Sequence, residues 1–368
     1  MQTELPAAVA AALERCERPS LVFDLARIDA QLREIGAAAR AADVVPLFAA
    51  KSFPHPAVRA LAGAYLAGFD VASPGEVAEV VALADRADHV LSIGDPSGRA
   101  ALAAGGWRGR LVVGCETVAQ IEAAPPHAEI ALRLSASLTG RDPAVGAVLD
   151  GSGHRRSRFG LDVAPVNLRE TIAALARAAR PRRVGLHVHH GPVAATSSAR
   201  FLATAQAALA AAAAADVEPS FLDLGGAWHA VADLPRALRE LRAALPSLPL
   251  FIEPGRLVSE GAGFAAGRIC VARELDDRAL RVLDLSRICH LRWSQPSLIA
   301  PPPRNRAGQP TLFVGPTCYE DDVIGDWAVE PGWYPPGARV VLSNITGYAV
   351  AWNTGFGGIG PAEIVMVG

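Results

Sequence analysis

The sequence predicts a (β/α)8 barrel followed by a mostly β domain, and three observations predict it. Short apolar runs of strand character recur at 46–51, 69–73, 89–93, 111–114, 129–135, 184–189, 219–224 and 249–253. Alanine-rich segments with helical spacing lie between most of them, at 56–67, 75–85, 165–180, 196–216 and 234–244. After Glu253 the alternation stops, and strand-like runs at 269–272, 279–284, 311–314, 339–342 and 363–367 are separated by Pro and Gly. Eight strands alternating with helices over about 230 residues is the count of a closed parallel barrel. An open doubly wound sheet fits less well, because no GxGxxG follows the first strand.

Taken in order, residues 4–16 read as a short helix, Ser20–Asp24 as a strand and 26–43 as a helix leading into the first barrel strand. The alanine run 203–215 is a packed helix rather than a linker, since alanine is the best helix former. Segment 295–310, QPSLIAPPPRNRAGQP, reads as a Pro-rich surface loop. The expected boundaries are a barrel at 23–255 and a β domain at 256–368, with residues 1–22 joining the β domain.

Composition narrows the class. The 368 residues are 51% hydrophobic, with a net charge of −2, which gives a large core and no electrostatic footprint for nucleic acid or an anionic membrane. The N-terminus has no basic leader, and no uncharged stretch is long enough to span a bilayer. Cys16, Cys115, Cys270, Cys289 and Cys318 are odd in number and scattered, without CxxC spacing. Neither a disulfide framework nor a metal site is expected, and a cytoplasmic protein is.

Lys51 is the only lysine in the chain, so 34 of the 35 basic residues are arginine. Where a bias replaces lysine wherever either cation serves, a surviving lysine marks chemistry that guanidinium cannot perform. Lysine can lose its proton and attack a carbonyl as an amine; arginine stays protonated. Chance survival on a solvated surface is the bland alternative, but Lys51 ends an apolar run, VVPLFAAK.

Barrels of this kind carry their chemistry at the C-terminal ends of the strands, and the unusual residues fall there. Lys51 ends the first strand, and Asp70, Ser73 and Glu76 follow the second. Arg133 ends the fifth; His187, in LHVHHG, ends the sixth. Gly225 and Gly226, in FLDLGGAW, follow the seventh, and Glu253 and Arg256, in FIEPGR, follow the eighth. Each alone has a bland reading as a core histidine, a turn or a loop carboxylate. Their convergence on one end of a barrel does not.

With FAAKSFP, GFDVASPGE, HVHHG, LDLGG, EPGR, GPTCYEDD and TGYAVAWNTGFGG in this order, the chain resembles the fold-type III pyridoxal-phosphate decarboxylases from about residue 18 to its end. That family includes ornithine, diaminopimelate and eukaryotic-type arginine decarboxylases, with an alanine racemase-like barrel. The resemblance implies that Lys51 holds pyridoxal 5′-phosphate covalently and that His187 stacks on its ring. It implies a phosphate site from Gly225, Gly226, Arg256 and Tyr348, with Asp70 and Arg133 also at the cofactor. Glu253 would sit against the ring nitrogen and keep it protonated, so that the ring accepts electrons from the breaking bond. The similar alanine racemases place an arginine there, so the carboxylate argues for decarboxylation. Cys318 would complete the partner's site in a homodimer and deliver a proton.

Three departures bear on substrate. Tyr319 stands where ornithine decarboxylases have Asp and diaminopimelate decarboxylases Glu, so a distal ammonium loses its counter-charge unless Glu320 or Asp321 replaces it. His189 and His190 replace the family's Gly-Ser, and Ala227 replaces the third glycine of the phosphate loop. Arg292, in ICHLRWSQPSL, resembles the arginine that grips a distal carboxylate; pairing with Asp321 or Asp322 is the alternative. The expected substrate-binding set is therefore Arg292, Tyr319, Glu320, Asp322 and His190, acting on an amino-acid conjugate such as the citryl-diaminopropionate type of siderophore assembly. A free diamino acid is the alternative substrate. A racemase would need a base on each face of the α-carbon, and a single-barrel cofactor carrier would lack the β domain.

Overall fold

A computed structural model of the chain describes residues 5–84, 87–135, 148–149, 155–161, 165–189, 198–300, 308–332 and 334–368. It divides into two compact units, one of residues 32–51 and 59–257, the other of residues 1–31, 52–58 and 258–368.

The first unit is a closed eight-stranded barrel, confirming the predicted architecture. Its strands are Val44–Ala49, Gly68–Val71, Val90–Ile93, Arg110–Cys115, Glu129–Leu134, Val184–Val188, Leu222–Asp223 and Leu250–Ile252. Each pairs in parallel with the next, and Leu250–Ile252 closes onto Val44–Ala49. Helices Pro56–Tyr65, Pro74–Ala84, Arg99–Ala103, Val118–Ala123, Pro165–Ala179, Ser198–Ala214 and Leu234–Ala244 intervene. The longer ones match the alanine-rich predictions within two residues. The short pair at 99–103 and 118–123 carries too few turns to show helical periodicity, although Thr117 and Gln120 form a capping box at the second.

A dry layer fills the barrel interior: Leu47, Val90, Val112, Ala131, Phe221 and Phe251 form one buried cluster. Phe221 and Phe251 stack at 5.2 Å. Gly185 is required by this packing, because a Cβ there would lie 2.4 Å from the Phe221 ring. The Arg110 guanidinium covers Phe251 at 4.7 Å and pairs with Glu129 through two 2.8 Å hydrogen bonds. Arg110 and Glu129 open their strands. The N-terminal end of the barrel is thus plugged, and polar chemistry is confined to the opposite end.

The second unit is a mostly antiparallel sheet. Strand order runs Ser297–Ala300, Arg339–Ser343, Gly263–Glu274, Ala279–Leu283, Gln309–Val314, Val323–Val329. Ser20–Asp24 adds to Gly263–Glu274 and pairs in parallel with Glu363–Val367. Val9, Ala12 and Leu13 of helix Ala7–Arg15 pack with Val22, Phe264, Ala266 and Val341. Two strands here escaped prediction. Ser297–Ala300 lies inside the segment read as a Pro-rich loop, where the prolines from 301 onward hid a short edge strand. Val323–Val329, VIGDWAV, lacks strict alternation because Gly325 clears room for the Trp327 ring; a Cβ there would lie 2.2 Å from it. Among the described residues no helix is long and apolar enough to cross a membrane, and all five cysteines are free.

Candidate active site

Lys51 sits just past the first barrel strand, in the short 3-10 turn Ala50–Ser52, rather than within the strand. Its ammonium pairs with the carboxylate of Asp70, which lies opposite Ala49 in the strand register. The Asp70 side chain is buried. Burial, followed by the Glu253 charge, pushes its pKa from 3.8 up to about 7, against the opposing pull of Lys51.

Across the barrel mouth, His187 Nε2 lies 3.6 Å from Glu253 Oε1, and His189 Nδ1 lies 3.7 Å from Glu253 Oε2. Burial pushes His187 down to about 3, so it is neutral near pH 7 despite the attraction of Glu253. Burial pushes Glu253 up, but His187, His189 and Lys51 together hold it below the ordinary carboxylate range. With His187 neutral and His189 Nδ1 engaged as the acceptor of Gly226 N–H, that direction rests on the Lys51 charge, which favours the Glu253 anion. Among the described residues neither Glu253 Oε1 nor His187 Nε2 has a hydrogen-bond partner, although both are buried. Such orphans are costly unless a ligand completes them.

The Leu222–Asp223 strand ends in a loop whose amides are largely committed. Gly225 N–H donates to Asp223 Oδ1 at 2.8 Å, and Gly226 N–H donates to His189 Nδ1 at 3.0 Å. Among the described residues the Ala227 N–H makes no hydrogen bond, which leaves it an available donor of the loop. Ala227 keeps the left-handed backbone, φ +70°, that a glycine would adopt freely, at a cost of about 1 kcal/mol. Glu253 is tied to this loop through its own N–H, which donates to Gly225 O at 2.8 Å. Arg256 begins the next turn, Arg256–Ser259, and its charge adds to burial in pushing His229 down to about 4.

Arg133 ends its strand with its guanidinium 4.6 Å from the Phe159 ring centroid and its Nε 4.0 Å from Glu116 Oε1. Ser73 and Glu76 are structural: Ser73 Oγ accepts from Glu76 N–H, and Glu76 accepts from Ala72 N–H, capping helix Pro74–Ala84.

Three participants were missed from sequence. Asp223 is buried and pushed well above the usual carboxylate range, by burial and then by the Glu253 charge. It was hidden inside LDLGG, where the glycines drew attention. Glu116 and Phe159, which flank Arg133, come from distant stretches that no local spacing connects.

The β unit holds the remaining predicted residues. Cys318, Tyr319 and Glu320 are exposed, and Tyr319 meets Phe356 edge-on at 5.3 Å. Arg292 stacks on Trp352 at 4.5 Å, and no carboxylate pairs with it among the described residues. Tyr348, half-buried, contacts Trp293 at 5.1 Å. Asp322 corrects the sequence reading. Its buried carboxylate accepts from Ser286 Oγ, Arg287 N–H and both N–H and Oγ1 of Thr317, so it organises the 315–322 turn and is not open to substrate. His190 lies outside the described residues.

A carbonyl-reactive lysine, a buried anion with an unpaired oxygen and a left-handed loop with a spare amide suit a ring carrying an N–H donor, an aldehyde and a phosphate. His187, His189 and Glu253 also bring one ligand atom each within 4.8 Å of one another. The His189 Nδ1 lone pair is already taken by the Gly226 amide, and the lysine and the glycine loop beside the cluster suit the organic cofactor.

Comparison with known proteins agrees. Residues 25–260 match the family model described as pyridoxal-dependent decarboxylase, pyridoxal binding domain, and the chain belongs to that family. It is a pyridoxal-phosphate-dependent decarboxylase. No curated protein matches the sequence. Among solved structures, the Paramecium bursaria Chlorella virus arginine decarboxylase bound to agmatine is 16% identical with a TM-score of 0.77, over 97% of this chain and 99% of that one. The lysine/ornithine decarboxylase complexed with putrescine from Vibrio vulnificus is 20% identical with a TM-score of 0.75, over 97% and 96%. The Helicobacter pylori diaminopimelate decarboxylase complexed with L-lysine is 16% identical with a TM-score of 0.75, over 98% and 94%. At these identities the likeness concerns the fold.

The carboxyl cluster has a consequence for stability. Asp70 has its pKa raised from 3.8 to about 7 in the folded protein. Between those values the folded state holds a proton that the unfolded state has lost, so this group's contribution to stability falls as pH rises. Cofactor-free Asp70→Asn is expected to gain on the wild type by up to a few kcal/mol from pH 4 to pH 7. His187 works in the opposite sense in the same range but is common to both proteins, whereas Asp223, which the Asp70 charge helps to raise, adds to the same trend. Urea midpoints across the range check it.

Proposed function

We propose that the enzyme removes the α-carboxylate of an amino acid whose distal end is anionic or amide-bearing. The observation that carries the decarboxylase chemistry is the buried Glu253 carboxylate at the barrel mouth, whose Oε1 is unpaired among the described residues. Bound pyridoxal phosphate supplies an electron sink for the bond that breaks. In this reading Lys51 anchors the cofactor and receives a proton through Asp70 when its amine is displaced. Glu253 holds a proton on the ring nitrogen, and neutral His187 covers the ring face without adding positive charge. Ala227 N–H and Arg256 hold the phosphate, with Gly225 and Gly226 shaping the loop. Arg133, braced by Glu116 and Phe159, orients the cofactor's side of the site. Cys318 returns a proton to the α-carbon in the partner's site of a homodimer, and its exposed thiol suits that use. The five free cysteines support a reducing, cytoplasmic setting.

The substrate class rests on Tyr319 and Arg292. Tyr319 offers a distal ammonium no charge, while Arg292, its guanidinium over the Trp352 ring at 4.5 Å, keeps N–H donors for a carboxylate. With Asp322 committed to its turn, only Glu320 and Asp321 remain to favour a free diamino acid, the second reading. Arginine, lysine/ornithine and diaminopimelate decarboxylases among the similar structures span both distal chemistries.

Mass spectrometry of the loaded enzyme with ornithine, lysine, arginine, meso-diaminopimelate and citryl conjugates of diaminopropionate and diaminobutyrate tests this reading. CO2 loss from diaminopimelate or a conjugate, reduced at least tenfold by Arg292→Ala, is expected. Turnover of ornithine or lysine alone would contradict the anionic distal group and leave the decarboxylase standing.

A further inference from the structure

His189 both cradles the glycine loop and faces the buried Glu253 carboxylate. Its Nδ1 accepts from Gly226 N–H at 3.0 Å and lies 3.7 Å from Glu253 Oε2. The second distance exceeds hydrogen-bond reach, so His189 bears on Glu253 through packing and field rather than a bond. The loop glycines are fitted to this ring. A Cβ on Gly225, φ +61°, would lie 2.6 Å from His189 Nδ1, and one on Gly226 would lie 2.9 Å from Cε1. Gly226 is buried, so without His189 its amide has no acceptor. Gly225 is already bound to Asp223, and its carbonyl accepts from the Glu253 amide. One imidazole therefore links the strand end bearing His187, the loop that presents the Ala227 N–H, and the segment carrying Glu253.

We propose that His189 is a positioning residue of the cofactor site, fixing the 225–227 loop so that the Ala227 amide faces the cofactor's phosphate. The inference rests on the cofactor assignment and adds to it a role for a side chain where the resembling family has glycine. What it requires is an acceptor at the Nδ1 position, not an imidazole as such. Asparagine places its carbonyl oxygen where Nδ1 stands. Glutamine reaches only the Nε2 position, and leucine fills the volume with no acceptor.

The test measures pyridoxal-phosphate affinity by absorbance titration of cofactor-free wild type, His189→Asn, His189→Gln and His189→Leu. Backbone hydrogen exchange over residues 222–230 is followed in the same cofactor-free proteins. A buried amide left unpaired predicts binding weakened about tenfold in the Leu and Gln variants, with faster exchange at Gly226. The Asn variant is expected within about threefold of wild type on both readouts. Should His189→Leu fail to fold, the Asn and Gln pair carries the same contrast in two amide side chains that differ by one methylene. Equal affinities in Asn and Gln variants, or tighter binding in the Leu variant, would overturn the proposal. Failure of the wild type itself to bind pyridoxal phosphate would instead overturn the cofactor assignment.

Discussion

Lys51→Arg is expected to abolish turnover and the visible absorbance of the cofactor-loaded protein together. The substitution keeps a cation beside Asp70, so the ion pair and the buried carboxyl cluster retain their counter-charge. What is lost is an amine able to deprotonate and bond to the cofactor's aldehyde, which guanidinium cannot do. No other lysine exists in the chain to substitute for it. Turnover at least about 10⁴-fold below wild type is expected, on the scale seen when a covalent catalyst is removed. An absorption spectrum and a single-turnover assay check it; a retained visible band in the variant would show that the cofactor is held elsewhere.

Glu253→Gln carries the second large effect. The carboxylate is buried, anionic and short of one hydrogen-bond partner. An amide of the same shape keeps the packing against His187 and His189 but cannot hold a proton on a ring nitrogen by charge. Loss of one such preorganised group from a dry site costs about 10²–10³ in rate. The cofactor should remain bound through Lys51 and the phosphate loop, so turnover falls while cofactor content does not. Removing the Glu253 charge also removes one of the forces raising Asp70 and Asp223. The pH window in which cofactor-free protein loses stability should move toward acid. Kinetics at saturating cofactor and the urea-midpoint profile measure the two effects.

The barrel was legible because its strands are short apolar runs buried on both faces, and its longer helices repeat alanine at helical spacing. Lys51, His187 and Glu253 were legible for a different reason: each lies at or just past the C-terminal end of a strand, and the barrel's topology gathers strand ends whatever their separation in sequence. Side chains whose partners come from elsewhere were not. Asp223 looks like a strand residue until Glu253 is placed beside it, and Glu116 becomes relevant only through Arg133. Asp322 failed in the opposite sense. An acid in a motif resembling a substrate-reading loop is spent on holding that loop's own amides and hydroxyls, which charge and position in a sequence cannot reveal. The strand at 323–329 was lost to a glycine that serves the Trp327 ring rather than a turn.

The most direct test is borohydride reduction of the pyridoxal-phosphate-loaded protein, followed by tryptic digestion and peptide mass mapping. Reduction fixes the cofactor to the amine that holds it and blocks tryptic cleavage there. The label is predicted on the single peptide from Ala41 to Arg59, which contains Lys51. Label confined to the N-terminal amine, or none on the 41–59 peptide, would contradict the account.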